Sequence, residues 1–211
     1  MMDAIIRGAL SFINDHSALL MILIVVLLIL GLGSCFLIEK RRFTTREITL
    51  MGMLVALNII MAEVCKITIL PRILELSLGF VPLALSGMLF GVVPTVTVAV
   101  VADVIGALLF NAGNFYFGYT LTAFTTGLFY GIFLHKKELR TLPIVICQLL
   151  ISLVCYAFMN SLWALNWVTK TAAGEYIGIR LLAQLGTFPV YTLILLLMRR
   201  YRKTLEGVLK R

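Results

Sequence analysis

Long apolar segments separated by short polar ones run along almost the whole chain. A helix needs about 20 apolar residues to cross the hydrocarbon core of a membrane, and most of the apolar segments approach that length. The pattern predicts seven spans, at residues 17–38, 45–68, 78–92, 94–111, 119–134, 142–168 and 176–198. The predicted fold class is an all-α membrane protein with six core helices and one extra N-terminal transmembrane helix.

The first predicted helix differs from the other six because its middle is uniformly apolar. We interpret it as an uncleaved anchor with lipid on all sides. Residues 32–35 (LGSC) loosely resemble a lipoprotein cleavage box, so a cleaved signal is the alternative, but no positive cluster precedes the segment. The other six helices contain Gly, Thr, Ser and Asn, a composition typical of helices that pack on one another.

The positions of the charged residues predict the orientation of these helices. Charged residues make up only 13% of the chain, and the mean hydropathy is +1.05. Of the 18 Lys and Arg residues, 13 lie in three clusters, within residues 40–46, 136–140 and 199–211. The positive-inside rule places these clusters, and with them the C-terminus, in the cytoplasm. Because they flank apolar spans and form no single basic face, we expect no nucleic-acid partner.

The chain lacks the motifs of common membrane enzymes. It contains no P-loop and no HExxH motif, and His16 and His135 lie at opposite ends of spans, on opposite sides of the predicted membrane. Glu63 and Asp103 are the only acidic residues at membrane depth, too few for the carboxylate clusters that hold Mg²⁺. The four cysteines form no CxxC pair. We therefore expect no enzymatic activity, no metal and no cofactor.

The two acidic residues at membrane depth can be interpreted from their positions. Asp103 lies near the middle of its span, where an ionised carboxylate costs about 3 kcal/mol or more unless it is paired or hydrated. It either accepts hydrogen bonds from a ligand or bonds to neighbouring Ser or Thr hydroxyls. Glu63 lies three residues before Lys66, the spacing of an ion pair on one helix face, and that ion pair is its simpler interpretation.

Three kinds of side chain are predicted to meet on the outer side of the membrane. They are aromatic rings (Phe115, Tyr116, Phe117, Tyr119, Trp163, Trp167), amides (Asn111, Asn114, Asn160, Asn166, Gln184) and cations (Lys66, Arg72, Arg180). Aromatic belts at the interface account for many of the rings, but amides within a span need hydrogen-bonding partners. A flat heterocycle with an anionic tail would satisfy all three sets. The outer connection at residues 67–77 has the composition of a lid that partly re-enters the membrane.

Several sequence blocks follow one another in the six-helix part of the chain. They are residues 76–91 (LSLGFVPLALSGMLFG), 102–106 (ADVIG), 118–131 (beginning GYTLTA and ending GLFYG), 160–163 (NSLW), and 180–182 (RLL) leading to Pro189. In this order the blocks resemble the folate-type substrate-binding (S) components of energy-coupling factor (ECF) vitamin importers, across about residues 45–202.

The resemblance implies a six-helix membrane subunit that binds one vitamin near its outer face and has no ATPase of its own. The implied partners are a transmembrane coupling subunit and two ABC-type ATPases. In the family, an AxxxA pattern on the first core helix contacts the coupling subunit, and Gly52 and Ala56 occupy those positions here. The family mechanism has the S component topple in the membrane to carry its ligand inward. The extra N-terminal helix departs from the six-helix pattern.

The resemblance and the outer groups together predict folate or a similar vitamin as ligand. In the predicted site Arg72 and Arg180 pair with carboxylates, Trp163 and Tyr119 stack on the pterin, Asn166, Gln184 and Asp103 bind the pterin edge, and Asn160 completes the set. Two alternatives stay open: the same fold with another vitamin or precursor, and a scaffold whose polar residues only hold helices together. Arg180 also has a simpler interpretation, as a snorkelling interfacial residue.

The predicted organisation has three parts. Residues 1–43 form the extra anchor, residues 44–202 form the six-helix substrate-binding membrane domain, and residues 203–211 form a basic cytoplasmic tail. We predict a multi-pass protein of the bacterial plasma membrane, in contact with the lipid bilayer.

Overall fold

The computed structural model describes residues 17–39, 43–70, 74–110, 116–135, 140–164 and 173–209. In this part of the chain the elements are α1 (Ser17–Glu39), α2 (Thr45–Ile59 with a π-helical continuation, Ile60–Val64), β1 (Ile67–Leu70), β2 (Leu74–Leu76), α3 (Phe80–Phe90), α4 (Val92–Phe110), α5 (Phe117–Leu134), α6 (Thr141–Leu150, a π-helical segment Ile151–Met159, and Asn160–Ala164) and α7 (Ala173–Leu209). Six of these helices are long and apolar enough to cross a membrane. The predicted helical membrane fold with an extra N-terminal helix is confirmed.

The first core helix begins at a capping box that overlaps the first basic cluster. The Thr44 hydroxyl accepts from the Glu47 backbone N–H at 3.3 Å, and the Glu47 carboxylate accepts from the Thr44 backbone N–H at 3.0 Å. This reciprocal pair satisfies two backbone donors that the first turn leaves without intrahelical partners. The helix start is therefore fixed where the chain enters the membrane.

Helix α3 is shorter than the sequence predicts. It has 11 residues, against the predicted span 78–92, and at about 1.5 Å per residue it rises only about 16 Å. Gly91 alone joins it to α4, with a φ of 91°, a left-handed conformation that only glycine adopts without strain. Pro94 lies in the first turn of α4, where a missing N–H costs no hydrogen bond. This sharp turn ends α3 early.

Glycines let α5 lie against the backbones of two neighbours. A Cβ placed on Gly131 would lie 2.5 Å from the Val92 Cα of α4, and one on Gly127 would lie 3.0 Å from the Val96 Cα. A Cβ on Gly87 of α3 would lie 2.8 Å from the Tyr130 carbonyl oxygen. The spacing Gly127-xxx-Gly131 thus marks internal packing, as small residues at helix interfaces generally do.

This close approach makes Gly131 intolerant of the smallest side chain. We expect Gly131→Ala to lower the free energy of unfolding by about 1–3 kcal/mol, because α4 and α5 must move apart to accommodate the methyl group. The gain in helix propensity on replacing glycine, about 1 kcal/mol, is too small to offset this. Melting temperature in detergent measures the effect.

Gly33 on α1 supplies the matched control, because no atom lies within 4 Å of its Cβ position. Gly33→Ala is expected to leave the melting temperature unchanged or slightly raised. A Gly131→Ala protein as stable as the Gly33→Ala protein would contradict the tight α4–α5 contact.

Helix α1 corrects one expectation from the sequence. It is not surrounded by lipid, because Ile24 and Leu28 are only 3% and 6% exposed and form a buried cluster with Val96 of α4 and Phe124 of α5. The rest of the helix is largely exposed. Sequence composition could not reveal this stripe, because Leu, Ile and Val suit both lipid and a packed helix face.

The outer connection forms a β-hairpin. Its two strands pair antiparallel, with Ile67 opposite Leu76 and Thr68 opposite Glu75. After the hairpin, the Ser77 backbone N–H donates to the Tyr191 hydroxyl of α7 at 3.3 Å. The Tyr191 ring also packs on Phe80, with ring centroids 4.4 Å apart. The base of the hairpin is thereby tied to α3 and α7, while the lid role of residues 67–77 stays a prediction.

Candidate functional site

Polar and aromatic side chains of four helices meet at the predicted outer side, opposite the helix ends that carry Arg140 and Arg199. Two groups can be distinguished, one between α4, α5 and the end of α6, and one between α6 and α7. The last five residues of α6, Asn160–Ala164, contribute to both groups. This outer tip of α6 is the centre of the candidate site.

Three aromatic rings form a continuous group at the start of α5. Tyr116 lies between the other two rings, 6.4 Å from Tyr119 and 5.7 Å from Trp163 between centroids. Gly118 lies beneath them, since a Cβ there would approach the Trp163 Cδ2 atom to 2.6 Å. A glycine at this position therefore lets the rings of α5 and α6 come together.

Trp163 is held in place by a hydrogen bond as well as by ring contacts. Its indole N–H donates to the Thr122 hydroxyl of α5 at 3.0 Å. A buried indole N–H normally finds such a partner. The bond fixes the plane of the indole relative to α5, so the ring is oriented before any ligand arrives.

Asp103 makes the structural hydrogen bond that the sequence leaves open. The Thr120 hydroxyl donates to the Asp103 Oδ2 atom at 2.7 Å, linking α4 to α5. This observation supports the hydroxyl-bonded interpretation, and the bond involves one of the two carboxylate oxygens. Asp103 is half-buried. It is linked to the aromatic group because its partner Thr120 directly follows Tyr119 in α5.

Arg180 of α7 reaches back to the outer tip of α6. Its Nη1 group donates to the Asn160 backbone carbonyl at 2.9 Å. The Asn160 Oδ1 atom and the Ser161 hydroxyl oxygen are buried and have no hydrogen-bond partner among the described residues. Buried polar atoms are nearly always paired, so this tip has acceptor capacity that the described part of the fold does not use.

Gln184 lies one turn further along α7, opposite the π-helical segment of α6. Its amide oxygen accepts from the Ser152 hydroxyl at 3.2 Å and from the Thr187 hydroxyl at 3.3 Å. A π-helical turn holds one more residue than an α-helical one and is frequent at functional sites. With both bonds on the oxygen, the amide N–H groups point away from Ser152 and Thr187.

The structure places six of the eight predicted site residues in these two groups. Tyr119, Trp163 and Asp103 lie in the first group, and Asn160, Arg180 and Gln184 in the second. Arg72 and Asn166 lie outside the described residues. The predicted site did not include four hydroxyl residues that orient these side chains, namely Thr120, Thr122, Ser152 and Thr187, and it counted Tyr116 only among the outer rings. A concentration of threonines in α5 was the available signal.

Glu63, the second acidic residue at membrane depth, is paired within its own segment. Glu63 forms the expected ion pair with Lys66, with 3.9 Å between carboxylate oxygen and ammonium nitrogen. In the part of the chain that the structure describes, no three His, Cys, Asp or Glu side chains lie together as a metal site requires. The two acids at membrane depth are thus accounted for by an ion pair and by a hydroxyl.

Gly52 and Ala56 lie apart from this site, on the exposed side of α2. Both are exposed, and no atom lies within 4 Å of the Gly52 Cβ position. Two small residues one helical turn apart leave a shallow groove that another helix can enter. The exposure of both residues is consistent with the predicted contact to a coupling subunit, and that contact stays a prediction.

Comparison with known proteins identifies the family. The family model for the S component of the ECF-type riboflavin transporter matches residues 42–197. The folate transporter FolT of Clostridium novyi is 28% identical over 145 residues, covering 69% of this chain and 83% of FolT. FolT of Leuconostoc mesenteroides is 27% identical over 157 residues, covering 71% and 82%.

A solved structure gives the same result at the level of the fold. The crystal structure of FolT bound with folic acid superposes with a TM-score of 0.68 at 29% identity, covering 74% of this chain and 94% of that chain. The relatives are named as transporters, which points to a transport role rather than an enzymatic one. The predicted S-component fold is confirmed, and with it a multi-pass membrane protein. The chain belongs to the family of ECF-type riboflavin transporter S components.

Proposed function

We propose that this protein is the substrate-binding subunit of an ECF vitamin importer and that it binds folate or a related pterin at its outer face. The similarity to FolT proteins of two bacteria and to a folic acid complex supports this ligand. The proposal also draws on the chemistry of the candidate site, which offers rings, amides and a guanidinium in one place.

The observation that carries the proposal is the composition of the outer tip of α6. Within four residues the chain presents the Trp163 ring, the Asn160 and Ser161 oxygens that have no partner among the described residues, and a backbone carbonyl that holds Arg180. Folate has a flat pterin with donors on its edge and a glutamate tail with two carboxylates. Each part of that ligand finds a complementary group here.

We assign individual roles from the chemistry of the side chains. Trp163 and Tyr119 stack on the pterin, with Tyr116 between them. Gln184 offers its amide N–H groups to the pterin carbonyl, and the Asp103 Oδ1 atom accepts from a pterin amino group while Thr120 holds Oδ2. Stacking of a flat heterocycle on an aromatic side chain contributes about 1–3 kcal/mol.

Three further predicted residues complete the proposed site. Arg180 pairs with a glutamate carboxylate. Arg72 and Asn166 belong to it on sequence grounds alone, as a second cation and a second amide.

Riboflavin is the second candidate ligand, because the matching family model names that vitamin. Its isoalloxazine ring would also stack on Trp163, but its ribityl chain is uncharged. The folate tail carries two carboxylates, which would form charge-assisted hydrogen bonds with the Arg180 guanidinium that riboflavin does not offer. The cationic side chain of α7 therefore favours folate.

Transport requires partners that this chain does not contain. We propose that α2 docks through Gly52 and Ala56 on a transmembrane coupling subunit driven by two ABC-type ATPases, and that the subunit topples to deliver its ligand. The basic clusters place the C-terminus in the cytoplasm of a bacterial cell. Exposure of both small residues supports this docking surface.

Ligand binding to the purified full-length protein in detergent tests the proposed function. We expect saturable binding of one folate per chain, and no displacement of labelled folate by a hundredfold excess of riboflavin. Displacement by riboflavin at equal concentration would favour the second candidate. Binding of neither vitamin, by a protein with a cooperative melting transition, would overturn the proposal and leave the scaffold interpretation.

A further inference from the structure

The packed stripe of α1 is narrow and well defined. Ile24 and Leu28 are buried to 3% and 6% exposure, whereas Ile22 and Ile29 on the same helix are 62% and 64% exposed. Residues four apart lie on one face of a helix. One face of α1 is therefore fitted to the core while the opposite face meets lipid.

A glycine brings the backbone of α1 unusually close to α5. A Cβ on Gly31 would lie 2.7 Å from the Phe124 Cζ atom, with two further ring atoms at 3.2 and 3.3 Å. The Phe124 ring thus lies directly against the α1 backbone. This contact fixes the position of α1 along its axis relative to α5. If α1 shifted along the axis, a larger residue than Gly31 would face the Phe124 ring and clash with it.

The contact between Gly31 and Phe124 places Ile24 at the outer end of α5. Helix direction alternates along the chain, so α1 and α5 run the same way. Ile24 precedes Gly31 by the same seven residues by which Phe117 precedes Phe124, about 10 Å in each helix. Ile24 therefore lies about level with Phe117, the first residue of α5.

The contacts of the buried cluster agree with this placement. Tyr116, Phe117 and Trp163 all pack against the cluster that Ile24 and Leu28 form with Val96 and Phe124. Two of the three rings, Tyr116 and Trp163, are those of the candidate ligand site. Helix α1 therefore contributes two of the four buried residues of the cluster on which these rings pack.

We propose that α1 is a positioning element of the ligand site, in which Ile24 and Leu28 hold the Tyr116 and Trp163 rings in their stacking geometry. This inference rests on the proposed function for its effect on affinity, whereas the packing of the rings on the buried cluster stands without it. Rings held in place before binding lose less conformational freedom when the ligand arrives. The anchor thereby contributes to affinity without touching the ligand.

Tryptophan fluorescence and ligand affinity together test the proposal. The chain has two tryptophans, so Trp167→Phe leaves Trp163 as the only reporter in the full-length protein. On that background we expect Ile24→Ala to shift Trp163 emission in the ligand-free protein and to weaken folate binding by about 3- to 10-fold, mainly through faster dissociation. Ile22→Ala, the same change on the lipid face, is expected to alter neither.

Two further results decide the outcome. Ile24→Val, which keeps the branched side chain, is expected to restore most of the emission and affinity. Leu28→Ala, at the other buried position of the stripe, is expected to act like Ile24→Ala and takes its place if that variant aggregates. Emission and affinity equal to those of Ile22→Ala would overturn the proposal, even if the melting temperature falls, and would leave α1 as an anchor only. If the parent protein binds no folate, the proposed function fails, while the emission of the ligand-free variants still decides the role of α1.

Discussion

Ala56→Trp is expected to abolish folate uptake while leaving folate binding intact. Ala56 lies one turn from Gly52 on the exposed face of α2, and the space beyond Gly52 is open. An indole at position 56 would fill the groove into which a partner helix is proposed to fit. The candidate ligand site lies between other helices, so we expect its folate affinity to stay within about twofold of wild type.

Uptake by cells that coexpress the coupling subunit and both ATPases measures the first half of this prediction, and binding to the purified protein measures the second. Leu109→Trp is the matched control, since Leu109 is also exposed but lies at the outer end of α4. Tryptophan is common at that depth, so uptake should persist. Loss of binding along with uptake in Ala56→Trp would instead mean that α2 no longer folds correctly.

The number and order of the helices could be read from the sequence because each depends on local composition. An apolar segment of about 20 residues has few alternatives to a spanning helix. Helix α3 is the exception, and its physical reason is specific. The turn at Gly91 depends on a left-handed conformation and on the approach of α5 to α4, which no local pattern of apolar residues encodes.

The residue types of the candidate site could be predicted from the sequence, but the contacts between their side chains could not. Rings, amides and cations are recognisable as residue types, whereas the pairing of Trp163 with Thr122, or of Arg180 with the Asn160 carbonyl, depends on the register between helices. The same limit explains α1. Its sequence is apolar on every face, so only the fold distinguishes the side of Ile24 from the side of Ile22.

Arg180→Ala is expected to weaken folate binding by about 1.5–3 kcal/mol, the contribution of a hydrogen bond to a charged group, or about 10- to 150-fold in the dissociation constant. The guanidinium donates to the Asn160 carbonyl through one group, and it has further donors in a planar fork suited to a carboxylate. Arg180→Lys keeps the charge but loses the fork, so an intermediate affinity is expected. Equilibrium binding to the purified protein measures both variants.

Pteroate, which lacks the glutamate of folate, separates the two roles that Arg180 can have. If the guanidinium pairs with a glutamate carboxylate, Arg180→Ala should weaken folate binding strongly and pteroate binding only slightly. If it acts only by bracing the outer tip of α6 through Asn160, both ligands should lose affinity equally, because that tip also carries Trp163. Equal losses would remove Arg180 from direct contact with the ligand and assign the carboxylate to another cation.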